Sequence, residues 1–328
     1  MSKLLLVTQA VDPADSALGF FCEWIETMAR DPRVTSIEVW CLRSGEWATK
    51  PANVRVVVMP PQHRVWWFLW RILRSRFDAV FVHMSPIWVA LGGWWWRLTR
   101  QRVVLWYTHG TASTPLRIAM KFANVVCTAT KEAFPITCEK VIAIGHGISP
   151  KFVAATSSSP KMNGLQLISV GRISQRKRVK ETIEFFSLIR AKRPDARLTW
   201  IGEPLTDADR AYAAEIGTPF AVTFVGKKMF EELPSLYANA DVLLHLSATG
   251  SLDKVVIEAL AAGCPVFSTN PATREAIPSA FWDGALDPRA AEEVIRRAER
   301  GITANERREI ATRFSLATLI NKIVDQLS

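Results

Sequence analysis

The sequence predicts an α/β protein of two doubly wound domains, each a parallel sheet covered by helices. Three observations lead there. Short apolar runs rich in Val and Leu alternate with helical patterns, as strands buried on both faces of a parallel sheet require. The alternation breaks once, over 149–164, in a stretch rich in Ser and Pro (SPKFVAATSSSPKMNG), and then restarts. A chain of 328 residues also suits two domains of ordinary size.

In chain order, the runs at 3–9, 36–42, 54–60, 79–84, 102–108, 123–130 and 140–145 read as strands, with helices over Phe20 to Arg30 and Arg64 to Arg76. After the linker, 165–170, 197–202, 222–226, 241–247 and 265–269 continue the series. Val179, Ile183 and Phe186 mark a helix behind the first of these. The expected division is an amino-terminal domain over 1–148, the linker over 149–164 and a second domain over 165–305. A carboxy-terminal helix over 306–328 is expected to cross back to the first domain.

Composition narrows the function classes. Hydrophobic residues make up 49% and charged residues 22%, which excludes a disordered chain. The five cysteines are scattered, and no paired spacing resembles a zinc site. The opening MSKLLLVTQAVDPAD turns acidic too soon for a signal peptide, and the longest apolar stretch, Ala79 to Trp96, is broken by His83, Pro86 and Gly92-Gly93. A cytoplasmic location is expected. The charge is lopsided: 17 basic against 10 acidic residues in 1–150 give +7 of the chain's net +10. An anionic partner of the first half follows.

Two segments of the second half carry chemistry. In DVLLHLSATGSLDKVVIEALAAGCPVFST a buried strand runs into a small-residue loop, Ala248 to Ser251, and a helix is expected from near Leu252, capped by Ser251 and ended by Gly263. Free backbone N–H groups at such a helix start suit a phosphate. Glu258 lies in an otherwise apolar helix, where a carboxylate needs a partner: a basic neighbour or a ligand hydroxyl. In LISVGRISQRKR, Gly171-Arg172 follows a strand and precedes Lys177, so two cations stand where a diphosphate could be held.

Together these segments resemble glycosyltransferase family 4, retaining nucleotide-sugar enzymes of the GT-B fold, in which two Rossmann-like domains face each other across a cleft. The resemblance runs from about Leu167 to Glu275. It implies Arg172 and Lys177 as the diphosphate pair beside Gly171, Glu258 as the ribose ligand, and Val225 and Lys227 beside the base. The family's first glutamate, which contacts the sugar, falls on Gly250. TGSLDK replaces it, and the backbone of Leu252, Asp253 and Lys254, or the side chains of Asp253 and Lys254, would take its place. In the first half, His109 in LWYTHGT would sit near the donor sugar, and Gly19 would let the backbone approach the donor phosphate. His83 reads as a loop residue, with an acceptor-side role as the alternative, and His146 as a hinge residue. Asp207-Ala208-Asp209 has metal-binding spacing but opens a helix, so no metal or other cofactor is expected.

A belt over 64–102 is the third informative feature. It holds Trp66, Trp67, Trp70, Trp88, Trp94, Trp95 and Trp96 with seven arginines, Arg97 and Arg100 among them, and only Asp78 as an acid. Tryptophan at a bilayer interface with arginine toward anionic headgroups is how a protein lies on a membrane. Packing in the core and single-stranded nucleic acid are the competing readings, the last disfavoured. The expected activity is transfer of a sugar from a nucleotide diphosphate to a lipid-linked or glycan acceptor at the inner face of the cell membrane. A nucleotide-sugar hydrolase or epimerase of the same fold, and a noncatalytic membrane-surface module, are the alternatives.

Overall fold

The computed structural model describes residues 2–15, 18–131, 134–155 and 163–328. The chain divides into two compact units: residues up to Gly147 together with Leu316–Ser328, and Ile148–Ser315.

The first unit opens with β1 (Ser2–Val7), β2 (Ala10–Val11), α1 (Phe20–Ala29), β3 (Val34–Cys41), β4 (Arg43–Ser44) and β5 (Val54–Val58). It continues with α2 (Arg64–Arg74), β6 (Ala79–His83), α3 (Pro86–Leu98), β7 (Arg102–Trp106), α4 (Thr114–Phe122), β8 (Val125–Thr128) and β9 (Val141–Ala143). Seven of these strands form one sheet in the order β5-β3-β1-β6-β7-β8-β9. All its pairings are parallel. The order reverses between β1 and β6, and there Thr8 and His83 come 3.4 Å apart. His83 is buried and stacks on Phe21 at 4.1 Å, so its surroundings are core rather than loop.

The second unit begins with α5 (Pro150–Ala154), β10 (Gln166–Val170), α6 (Val179–Lys192), β11 (Arg197–Ile201), α7 (Asp207–Ile216), β12 (Val222–Phe224) and α8 (Leu233–Ala238). β13 (Val242–His245), α9 (Lys254–Ala261), β14 (Val266–Ser268), α10 (Pro271–Ala276), α11 (Pro288–Arg300) and α12 (Ala304–Arg313) complete it. Its parallel sheet runs β12-β11-β10-β13-β14, and the order reverses between β10 and β13.

Three expectations need correction here. Part of the expected linker is structured: Ser149 caps α5, and Phe152 is fully buried against Phe230 and Tyr237. Residues 156–162 of that linker lie outside the described residues. The segment 306–328 is two helices rather than one. α12 belongs to the second unit, while α13 (Leu316–Leu327) belongs to the first and sets Leu319, Ile323 and Val324 into the core with Leu4 and Trp24.

The third correction concerns the tryptophan belt. Consecutive helical residues are separated by about 100°, so Trp94, Trp95 and Trp96 cannot share one face. Trp94 is 44% exposed, Trp96 only 1%, its ring edge-on to Phe68 at 5.8 Å. Trp88 is also buried, and Trp67 and Trp95 pack partly against the same core, Trp67 against Trp40 at 5.4 Å. Trp66, Trp70 and Trp94 are left to solvent with Leu73 and Leu98. Arg97 and Arg100 are exposed, but Arg102 donates from Nε to the Gln326 carbonyl. Core and surface tryptophans should separate cleanly in urea denaturation. Trp96→Ala is expected to cost about 3–5 kcal/mol through the cavity it leaves, and Trp94→Ala to stay within about 0.5 kcal/mol of the parent.

Candidate active site

All five strands of the second unit run parallel, so their carboxyl ends share one edge, and ligands of such sheets bind beside the reversal of strand order. The reversal lies between β10 and β13, and the residues after these two strands meet there. β10 leads into Gly171, whose φ of 151° favours glycine. A Cβ at Gly202, beyond β11, would lie 2.1 Å from the Gly171 carbonyl oxygen. Trp200 Nε1 donates to that same oxygen at 2.8 Å. A Cβ on Gly171 itself would stand 3.3 Å from Lys177 Cε. The glycine pair thus lets the strand ends close up and the lysine stem cross over them.

Lys177 ends a short 3-10 turn, Gln175–Lys177. Its Nζ donates to Asp253 Oδ2 at 2.6 Å and to Ser247 Oγ at 3.3 Å. The other oxygen of Asp253 accepts from the Thr249 hydroxyl at 3.3 Å. Behind the pair stands His245, the buried last residue of β13, 2.9 Å from Asp253 Oδ2 through Nε2 and 2.9 Å from Ser268 Oγ through Nδ1. Ser268 Oγ in turn lies 3.1 Å from Thr273 Oγ1. His245 thus links the Asp253 carboxylate to the hydroxyls of Ser268 and Thr273 in one connected run. Burial pushes the Asp253 carboxyl up, but the hydrogen bond from His245 and the charge of Lys177 outweigh it and hold the group well below the usual carboxylate range.

The loop over 248–253 is tied down from several sides. Gly250 has a φ of 70°. Asn270 Nδ2 donates to the Ser251 carbonyl at 2.8 Å, and Ala248 N to the Arg176 carbonyl at 3.1 Å. Ser251 does not cap the helix: α9 starts at Lys254 with Asp253 in the cap position, its carboxylate turned to Lys177 and His245 instead of the helix end. Leu252 is buried. Gly263, at a φ of 88°, closes the helix as the sequence suggests.

Glu258 is 5% exposed, and Lys254 Nζ lies 3.6 Å away, one turn back in α9. Arg172 is exposed on the same edge as Lys177. Val225 and Lys227 are exposed beyond β12, where Gly226 (φ 70°) accepts a backbone hydrogen bond from Gly202 at 2.8 Å. The other unit holds Gly19 and His109. Gly19 starts α1 with an ordinary helical φ of −55°. A Cβ there would meet the carbonyl oxygens of Pro13 and Asp15 at 2.5 and 2.6 Å, so the glycine makes room for its own chain. His109 is exposed after β7, its ring 6.3 Å from that of Tyr107. Asp209 forms a capping box with Thr206 at the start of α7. Among the described residues no cluster of His, Cys, Asp and Glu could hold a metal ion.

Sequence reading missed His245 and Asn270. The signal for the first was a lone histidine closing an apolar strand. For the second it was Asn270-Pro271, a helix cap.

Residues 155–313 match the family of glycosyl transferases, group 1. That is just under half of the chain and includes every residue of the Lys177 network. Over the entire chain the fold is GT-B. HepE of Anabaena, solved in complex with UDP-glucose, aligns with 100% of this chain and 99% of its own at 18% identity and a TM-score of 0.76. Sucrose-phosphate synthase of Thermosynechococcus elongatus aligns over 99% and 98% at 17% identity and a TM-score of 0.71. A stretch of 100 residues is 32% identical to the sulfoquinovosyl transferase SQD2 of Arabidopsis thaliana, spanning 30% of this chain and 18% of that protein's length.

The Asp253 network makes a pH prediction. Because the carboxyl is depressed in the folded chain, its contribution to stability is present above the unfolded value of about 3.9 and is lost as pH falls through the folded value. Asp253→Asn should cost about 2 kcal/mol at neutral pH in urea unfolding. The gap to the parent should narrow steadily below about pH 4.

Proposed function

We propose that the protein is a glycosyltransferase that moves a sugar from a nucleoside diphosphate to an acceptor, with retention. The observation that carries the reading is Lys177, fixed by Asp253 and Ser247 at the point where the strand order reverses, with Arg172 beside it on the same edge. The family match over this unit and the UDP-glucose bound by the structurally similar HepE support it.

The chemical demand is departure of a diphosphate as negative charge builds on its bridging oxygen. A lysine already aimed and held supplies charge there without rearranging as the bond breaks. Its ammonium has three N–H donors, and two are engaged by Asp253 and Ser247. The third donor and the Arg172 guanidinium would take the phosphates. Glu258 would accept from the ribose hydroxyls, exchanging its contact with Lys254 for them. Gly250 places no carboxylate toward the sugar, so sugar contacts fall to the Thr249–Lys254 backbone and to Lys254. On this reading the reaction needs no metal, and activity should survive chelation. His109 and Gly19 are assigned to the donor side by resemblance alone.

The acceptor we assign is lipid-linked or an envelope glycan, reached from the cytoplasmic membrane surface. No helix among the described residues is long and apolar enough to cross a bilayer. The first unit nevertheless exposes Trp66 at 73%, Trp70 at 49% and Leu98 at 68%, with Arg97 and Arg100 exposed in the same belt.

Titration calorimetry with UDP and UDP-glucose, followed by transfer assays, tests the donor reading. Arg172→Ala should lower transfer by about tenfold to a hundredfold, the loss of one charge-assisted phosphate contact, with an unchanged melting temperature because the side chain is exposed. Lys177→Ala should lose at least as much activity and also some stability, since it strands Asp253. Unchanged kcat/KM in both variants would refute the assignment.

A further inference from the structure

At the amino ends of the strands of the first unit, opposite to the edge where ligands of such sheets bind, lies a depression of about 450 Å³. Its floor is set by register. Glu38 of β3 pairs with Arg55 of β5 on one side and with Leu5 of β1 on the other, so Arg55, Glu38 and Lys3 emerge on one sheet face. Over that face the last turn of α2 brings Trp70, Arg71 and Arg74, and Arg76 follows the helix. Five cations thus surround one carboxylate.

That carboxylate is already answered. Glu38 accepts from Trp40 Nε1 at 2.8 Å and from Arg71 at 3.0 Å. Burial would raise its pKa, but these bonds and the charges of Arg71 and Arg55 hold it below the ordinary value, so it neutralises one cation and leaves an excess. The cations are also preoriented. The Arg74 guanidinium lies 4.3 Å from the centre of the Trp70 ring, and Lys3 Nζ 5.0 Å from that of Phe77. A guanidinium stacked by its face keeps its N–H edge for a forked bond to phosphate oxygens. Trp70 itself is half exposed and shares a helix stripe with Trp66 and Leu73.

We infer that this pocket binds the headgroup phosphate of an anionic phospholipid, with the Trp66–Trp70–Leu73 stripe entering the interface beside it. The inference rests on the membrane-surface reading above and adds a defined site to it. The two are separable by sedimenting the full chain with phosphatidylcholine vesicles, with and without phosphatidylglycerol, in low salt. Arg55→Gln combined with Arg74→Gln should weaken partitioning onto phosphatidylglycerol vesicles about thirtyfold and leave the melting temperature unchanged. Arg97→Gln combined with Arg100→Gln, the same charge change outside the pocket, should weaken it several-fold less. Equal losses from the two pairs would mean diffuse attraction and would overturn the site while the membrane reading stands. A parent chain that ignores anionic vesicles would end both. If inorganic phosphate raises the melting temperature of the parent but not of the pocket variant, while both bind vesicles equally, the pocket is a soluble-anion site and the lipid assignment falls.

Discussion

The ion pair between Lys177 and Asp253 is the constraint that ties together the loops at the carboxyl edge of the second unit's sheet. Its partners are far apart in sequence and meet only because β10 and β13 are neighbours across the reversal of strand order. A lysine ammonium alone on a flexible stem would sample many positions. Tied to a carboxylate that His245 and Thr249 also hold, it has one. The glycines at 171 and 202 serve the same end, since side chains at either would push the strand ends or the lysine stem aside. On the proposed function this rigidity serves catalysis: a charge that is already in place need not reorganise when the leaving group develops its own.

The loop from Thr249 to Lys254 is best understood through this pair. Where the resemblance calls for an acid at 250, the chain has a glycine, and its nearby carboxylate at Asp253 is held by Lys177, His245 and Thr249. Asn270 and Thr249 then fasten the rest of the loop from behind. In this chain Asp253 is a positioning group for Lys177.

Much of the fold was legible because parallel strands buried on both faces leave long apolar runs, and these survive in single sequences. The Gly171–Arg172–Lys177 spacing was legible for a similar reason: it is local. What escaped was set by distance or by direction. Asp253 looked like a substrate contact because its lysine lies on another strand connection. Ser251 looked like a helix cap because nothing local says that Asn270 will hold its carbonyl. The tryptophans of α3 looked equivalent because composition carries no azimuth; the helix assigns Trp94 to solvent and Trp96 to the core.

The return of α13 to the first unit has a consequence for how the molecule is made. Leu319, Ile320, Ile323 and Val324 complete a core whose other members, Leu4, Trp24 and Phe81, leave the ribosome some 240 residues or more earlier in the chain. Until the whole second unit has emerged, the first carries an open apolar trough along one face of its sheet. Synthesis from the amino end therefore completes the two units in reverse order: the later one can close on its own while the earlier one waits.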